Sequence, residues 1–327
     1  MKVLVAIHHR VDAWTISSAH VDELRTRFPH VTFLQSTTRD SDIDLAASAD
    51  VAFALALSKE AMARATQLRW LHCSGHAVGH FPLEQLAARG VIVTNSRGIQ
   101  AVPIAEHVMA CLLALARKLP KILRDQEKRA WRPNDLIGDA SPWLLEGKTL
   151  GVIGVGTIGT AIAGRAKAFG MRVVGMRRSL GLGRPAGFDE VVGPADRDRL
   201  LALADVVVIT APLTSETNRL LDVDTIAKMK PGAIVINVAR GQLIDEAALA
   251  GALASRRLGG AALDVFTSEP LPSDSPFWSL PNVIVTPHTS GFRIGHFDAV
   301  IDLFSENLKR FERGVELLNV VDLQTGY

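Results

Sequence analysis

One stretch restricts the fold of this chain more than any other: Leu150-Gly-Val-Ile-Gly-Val-Gly-Thr-Ile-Gly159. An apolar run from Thr149 to Ile153 enters Gly154, Gly156 and Gly159, and helix-compatible sequence continues to Phe169. This is the spacing G-x-G-x-x-G. The first glycine permits a tight turn, the second lets a pyrophosphate approach the backbone, and the third lets the helix pack closely on the strand. The start of that helix offers outward N–H groups to an anion. A glycine triplet alone also occurs in purely structural turns. Here a strand precedes it, a helix follows, and a second apolar segment at 172–175 completes a β-α-β unit, which favours a nucleotide site.

The rest of the chain must house that unit. With 327 residues, 48% hydrophobic and 21% charged, two domains with separate cores are expected. A formal net charge of +2 gives no reason to expect a nucleic acid or a membrane surface as partner. Cys73 and Cys111 both lie in apolar sequence and read as reduced, buried thiols, without disulfide or zinc spacing. The opening apolar run ends in His8-His9-Arg10 and reads as a first strand, not a signal peptide. No uncharged apolar stretch reaches the roughly 18 residues of a membrane span. A cytoplasmic protein is expected.

Apolar runs predict strands at 3–7, 31–34, 49–57, 68–73 and 91–94, with helices at 17–28, 60–66 and 81–89 between them. That alternation indicates a parallel-sheet α/β domain. A long apolar helix is expected at 104–119, stopping before Pro120, and a charged continuation at 121–130. The segment 131–143, punctuated by proline and glycine and holding two tryptophans, reads as an arm or interface. Beyond the fingerprint, strands are predicted at 205–210, 233–238, 260–265 and 283–286, with helices at 196–203, 222–229 and 245–254. Asp245 is the expected N-cap of the last of these. A final helical region runs from Gly291 to about Arg313. The chain is expected to leave the first domain, build a doubly wound second domain, and return.

In a doubly wound sheet, ligands bind beyond the carboxyl ends of the strands. Three ionisable residues fall just past three predicted strands: Arg240, Glu269 and His288. Singly, each has an ordinary explanation as a solvated charge, a turn cap or a structural hydrogen bond. Together, beside a nucleotide motif, they make a reactive set. Histidine exchanges a proton near neutral pH, a carboxylate orients it, and arginine holds a substrate carboxylate by a two-pronged bond while polarising the adjacent carbonyl. With a nicotinamide cofactor this set permits hydride transfer to a 2-oxo acid, with no metal required.

The other histidines are less telling. His8 and His9 either edge the cleft or are solvated. His72, His76 and His80 lack the partners of a metal site, so the glycine-containing loop around them reads either as a donor of backbone N–H groups to an anion or as structure alone. His107 reads as a packing or interface residue.

These segments together resemble the D-isomer-specific 2-hydroxyacid dehydrogenases, including their glyoxylate and hydroxypyruvate reductase-like members. The resemblance is carried by Thr94-Asn-Ser-Arg-Gly98, Pro103-Ile-Ala-Glu-His107, Gly154-Val-Gly-Thr-Ile-Gly159 and Pro212-Leu-Thr-Ser-Glu-Thr217. Asn237-Val-Ala-Arg-Gly241, Leu263-Asp-Val-Phe-Thr-Ser-Glu-Pro270, Ser275-Pro-Phe-Trp278 and Thr286-Pro-His288 extend it. It implies an α/β protein of two doubly wound parallel-sheet domains, a Rossmann cofactor domain (101–288) inserted into a flavodoxin-like substrate domain (1–100 and 289–327). It also implies a homodimer with an arm at about 104–143. The family's catalytic arginine, glutamate and histidine fall on Arg240, Glu269 and His288. Its substrate loop falls on Gly75, His76, Ala77 and Val78, where Ala77 replaces a common glycine and His76 intrudes, leaving substrate choice open. Thr157 and Ile158 would bind the pyrophosphate, Pro212 would lie over the cofactor, and Val238, Ala239 and Asp264 would lie at the nicotinamide. Leu57, Trp278, Phe292 and, from a partner subunit, Trp143 would bear on pocket shape.

One departure concerns the nucleotide. The acid that binds the ribose of NAD, about 20 residues past the fingerprint, is absent. Arg177, Arg178 and Ser179 stand there instead, and two guanidiniums with a hydroxyl suit a 2′-phosphate. NADP(H) is the expected cofactor, with NAD(H) possible in its place. The alternatives are a phosphite or other small-anion dehydrogenase, a non-catalytic nucleotide-sensing protein, and a methyltransferase. The reactive set disfavours the last two.

Overall fold

The computed structural model describes every residue except Asp139, Ala140, Thr325 and Tyr327, with Leu182 described by its backbone alone. The first two lie in the expected arm and the last two in the expected C-terminal return, outside the described residues. The chain forms two units, Met1–Ile99 with Arg293–Tyr327, and Gln100–Phe292.

The first unit alternates strand and helix: β1 (Lys2–Ala6), α1 (Ser18–Arg27), β2 (Thr32–Gln35), α2 (Arg39–Ala46), β3 (Val51–Ala54), α3 (Lys59–Arg64), β4 (Trp70–Cys73), α4 (Leu83–Ala88) and β5 (Ile92–Asn95). All neighbouring strands run parallel in the order β2-β1-β3-β4-β5. Successive side chains feed opposite faces. Val3, Val5, Val51, Phe53 and Trp70 join one core, and Leu4, Ala6, Ala52, Ala54, Leu71 and Cys73 the other. The C-terminal helix, His296–Glu312, covers the first face, and its Phe304 stacks on Phe53 at 4.2 Å and on Trp70 at 5.2 Å. Helix α2 has no counterpart in the sequence reading. Its residues are largely polar, and it is set by a reciprocal cap between Thr38 and Ser41.

The second unit begins with α5 (Ala101–Ala116) and α6 (Leu119–Glu127). It continues through β6 (Thr149–Ile153), α7 (Thr157–Ala168), β7 (Arg172–Met176), β8 (Glu190–Val192), α8 (Arg197–Leu203), β9 (Val206–Ile209), α9 (Val223–Lys228), β10 (Ile234–Asn237), α10 (Glu246–Ala254), β11 (Gly260–Leu263) and β12 (Val283–Val285). The sheet is parallel, in the order β12-β11-β10-β9-β6-β7-β8. Strand order reverses between β6 and β9, so a crevice opens where those two strands end.

Several expected boundaries move. The helix placed at 104 starts at Ala101, because Pro103 falls in the first turn, where a missing N–H costs nothing. The break expected at Pro120 comes earlier, at Lys118, which adopts a left-handed φ of 61°, and Pro120 opens α6 instead. β8 was not foreseen, being three residues long. The final helix starts at His296, not near Gly291. The expected arm also divides. Ile104, Val108 and Leu112 of α5 lie in a core with Ile162 and Ala166 of α7, whereas Leu119, Leu123, Trp131 and Ile137 beyond it are exposed.

Candidate active site

The glycine turn closes β6 against β9. Gly154 has φ 113°, and a Cβ there would stand 2.6 Å from the backbone of Thr210 and Ala211. Thr210 Oγ1 donates to Gly154 O at 2.7 Å, fixing the same contact from the other side. A Cβ on Gly159 would meet Gly154 O at 2.2 Å, so α7 packs directly on the turn. Gly156 differs: nothing lies within 4 Å of its absent Cβ, and it is the N-cap of α7 without a side-chain cap. An open cradle thus faces first-turn N–H groups that the helix leaves unused. These features fit a nucleotide pyrophosphate, which Thr157 and Ile158 would hold. Pro212 follows β9 on the exposed side of the turn, in a loop fixed by Thr217 Oγ1 donating to Pro212 O at 2.7 Å.

Arg177 comes one residue after β7 ends, and its amide bonds Val192 O of β8 at 3.1 Å. Its guanidinium donates to Gly183 O, while its Nε is buried without a partner. Arg178 and Ser179 are exposed beside it. An incompletely satisfied guanidinium at the end of the second strand fits an anionic ribose substituent.

The reactive set assembles at the ends of β10, β11 and β12. Asn237 clamps the first turn: its Nδ2 donates to Arg240 O at 2.9 Å and its Oδ1 accepts Ala239 N–H at 3.0 Å. Val238 and Ala239 are buried in this turn. Gly241 then passes so close to the next loop that a Cβ would lie 2.0 Å from Phe266 C. This approach brings the loop carrying Arg240 against the loop carrying Glu269. The Glu269 carboxylate is divided, Oε1 accepting Phe266 N–H at 3.0 Å and Oε2 paired with His288 Nδ1 at 2.8 Å. Arg240 Nη1 donates to Ala239 O at 2.5 Å. Burial lowers the Arg240 guanidinium from its ordinary value, and the Glu269 charge opposes the change. With Nδ1 given to the carboxylate, Nε2 is the His288 nitrogen that can serve a reacting oxygen.

Asp264, expected at the nicotinamide, has three protein donors on its carboxylate. It accepts Thr286 Oγ1–H at 2.6 Å and the N–H groups of Thr289 and Ser290 at 2.9 and 3.0 Å.

In the first unit, the loop after β4 has its carbonyls committed inward. Gly75 O accepts Ser96 N–H at 2.9 Å, His76 O accepts Asn95 Nδ2–H at 2.7 Å, Ala77 O lies 3.5 Å from the Cys73 thiol, and Val78 O accepts Phe81 N–H at 3.0 Å. His72 is structural. It is fully buried, Trp70 Nε1 donates to Thr94 Oγ1, and Ser96 Oγ donates to Cys73 O, so Thr94 donates to His72 Nδ1 and His72 Nε2 donates to Ser96. His8 pairs with the buried Asp42 carboxylate at 3.0 Å, at the carboxyl end of β1. Leu57 packs on the first unit's core, Trp143 packs on the core around α5, and Trp278 and Phe292 are exposed. Among the described residues, no group of three or more His, Cys, Asp or Glu side chains is placed to hold a metal, and no helix is long and apolar enough to cross a membrane.

The sequence matches the model of the D-isomer specific 2-hydroxyacid dehydrogenase NAD-binding domain over residues 109–290. The chain belongs to this family of oxidoreductases. It is 36% identical over 269 residues to the glyoxylate reductase of Pyrococcus furiosus, covering 79% of this chain and 77% of that one. It is 35% identical over 270 residues to the D-3-phosphoglycerate dehydrogenase of Methanocaldococcus jannaschii, covering 82% of this chain and 50% of that one. The chain therefore spans about half the length of such phosphoglycerate dehydrogenases. The D-isomer specific 2-hydroxyacid dehydrogenase of Xanthobacter autotrophicus Py2, solved with NADPH and MES, has a TM-score of 0.81 at 30% identity, covering 100% of this chain and 99% of that one.

Asn95, Asn237 and Thr286 lie in the segments that carry the family resemblance, each at or next to a strand end, but their hydrogen-bond roles are not legible in the sequence.

Proposed function

We propose that this protein reduces a small 2-oxo acid, glyoxylate, hydroxypyruvate or a close relative, to the D-2-hydroxy acid, reversibly and with NADPH preferred over NADH. The Glu269–His288 pair at 2.8 Å, one loop from Arg240, carries the reading. A bound nicotinamide nucleotide supplies or accepts the hydride. Arg240 holds the substrate carboxylate and polarises the adjacent carbonyl. His288 Nε2 gives a proton to the carbonyl oxygen and recovers it in the reverse direction, while Glu269 fixes the ring through Nδ1. The incompletely paired Arg177, with Arg178 and Ser179, favours a 2′-phosphate over a bare ribose.

Two further readings accompany this. The exposed apolar residues Leu119, Leu123, Trp131 and Ile137 support a homodimer built on this part of the second unit. The two free, buried thiols suit a reducing, cytoplasmic setting.

Steady-state rates with NADPH and NADH against glyoxylate, hydroxypyruvate, pyruvate and phenylpyruvate test the reaction. His288→Ala is expected to lose about 10²–10⁴-fold in kcat while still binding NADPH. No turnover with any of these acids, or near-normal turnover in the alanine variant, would reject the assignment.

A further inference from the structure

Beneath the loop that carries His288 runs a chain of polar groups reaching back to the core helix α5. Asp264 is 1% exposed. Besides the three donors to its carboxylate, its carbonyl accepts His288 N–H at 2.9 Å. One residue thus engages three consecutive main-chain N–H groups, those of 288, 289 and 290. His288 itself has φ 55°, a left-handed conformation uncommon for residues other than glycine. The clamp holds that conformation.

The chain continues below Asp264. Thr286 has a single hydroxyl proton, and its 2.6 Å contact to a carboxylate oxygen uses it. The 3.2 Å contact between Thr286 Oγ1 and His107 Nε2 therefore has the imidazole as donor. His107 Nε2 also stands 3.5 Å from Cys111 Sγ, one turn further along α5.

We propose that His107 and Thr286 are positioning residues for His288: with Asp264 they tie its loop to α5 and hold the ring on Glu269. The proposal rests on the hydride-transfer reading above. Neither side chain needs to touch a substrate. Without the Thr286 hydroxyl, the Asp264 carboxylate loses one of its three donors and its link to His107, and the backbone around His288 loosens. Misplacement of a reacting group by an ångström is sufficient to slow a positioned reaction severely.

The test compares Thr286→Val, which keeps the shape and removes the hydroxyl, with Thr286→Ser, which keeps the hydroxyl. In the intact protein with NADPH and glyoxylate, the valine variant should lose about tenfold or more in kcat with NADPH affinity within about twofold of wild type, and the serine variant should recover. Amide hydrogen exchange at 288–290 should quicken with valine and not with serine. A valine variant as fast as wild type, or a serine variant as slow as the valine one, overturns the proposal. Should the valine chain fail to fold, His107→Leu against His107→Gln poses the same contrast, because the glutamine amide still donates. If wild-type protein turns over none of the acids, the hydride-transfer reading falls. Exchange at 288–290 then decides the tether by itself, and unchanged exchange with valine overturns it.

Discussion

His288 and Glu269 meet because each sits on a loop whose backbone is fixed by something else. Asn237 shapes the turn at Arg240, Gly241 allows contact with Phe266, and Phe266 N–H occupies one oxygen of Glu269. The ionisable residues were legible in the sequence because each follows an apolar strand, and a strand end on a parallel sheet is where ligands gather. Their supports were not, since the partners of Asp264 and Thr286 come from α5 and from a loop about 25 residues on. The nucleotide preference belongs to this scale as well. Arg177→Asp is expected to place a carboxylate where a 2′-phosphate would sit, lowering kcat/KM with NADPH by about tenfold or more and narrowing or reversing the preference over NADH. An unchanged ratio of kcat/KM for the two nucleotides would remove Arg177 from the site.

At the scale of elements, periodicity located nearly every long strand and helix, because strands buried on both faces read as continuous apolar runs. It failed for α2, whose stability comes from its cap and from few buried side chains, and for β8, whose three residues are too few for a pattern. β4 shows what periodicity cannot reveal. It carries a histidine into the core, and the strand tolerates it because Thr94 and Ser96, on and just past neighbouring β5, satisfy both ring nitrogens. Burial pushes the His72 imidazole down to about 3 from its ordinary value of 6.5. The sign follows from linkage: above 6.5 neither folded nor unfolded chain protonates the ring, and its contribution to stability is complete. As pH falls from 6.5 toward 3, the unfolded chain takes a proton that the folded one refuses, and stability is lost by up to about 1.4 kcal/mol per pH unit. Imidazole NMR at pH 5 should show His72 neutral, protonated on Nε2 and accepting at Nδ1. A ring at position 72 that titrates near 6.5 would contradict the buried chain of hydrogen bonds.

At the scale of the whole molecule, the reactive set and the glycine turn lie in the second unit, whereas the loop at 74–79 belongs to the first. Two alternations of strand and helix in the sequence announced two sheets, and the apolar helix at the start of the second marked the passage between them. The second unit is spliced into the first at two points, after Ile99 and after Phe292. In polymer terms it is a closed loop for as long as the first unit stays folded. Melting the second unit alone would release about 190 residues with both ends still pinned, which denies the coil on the order of 5 kcal/mol of the entropy a chain with one loose end would gain. Melting the first unit alone carries no such penalty. Calorimetry combined with hydrogen exchange is therefore expected to show the five-stranded unit opening first or both units opening together. Loss of the seven-stranded unit ahead of its host would mean that its own packing is weaker than this topological protection.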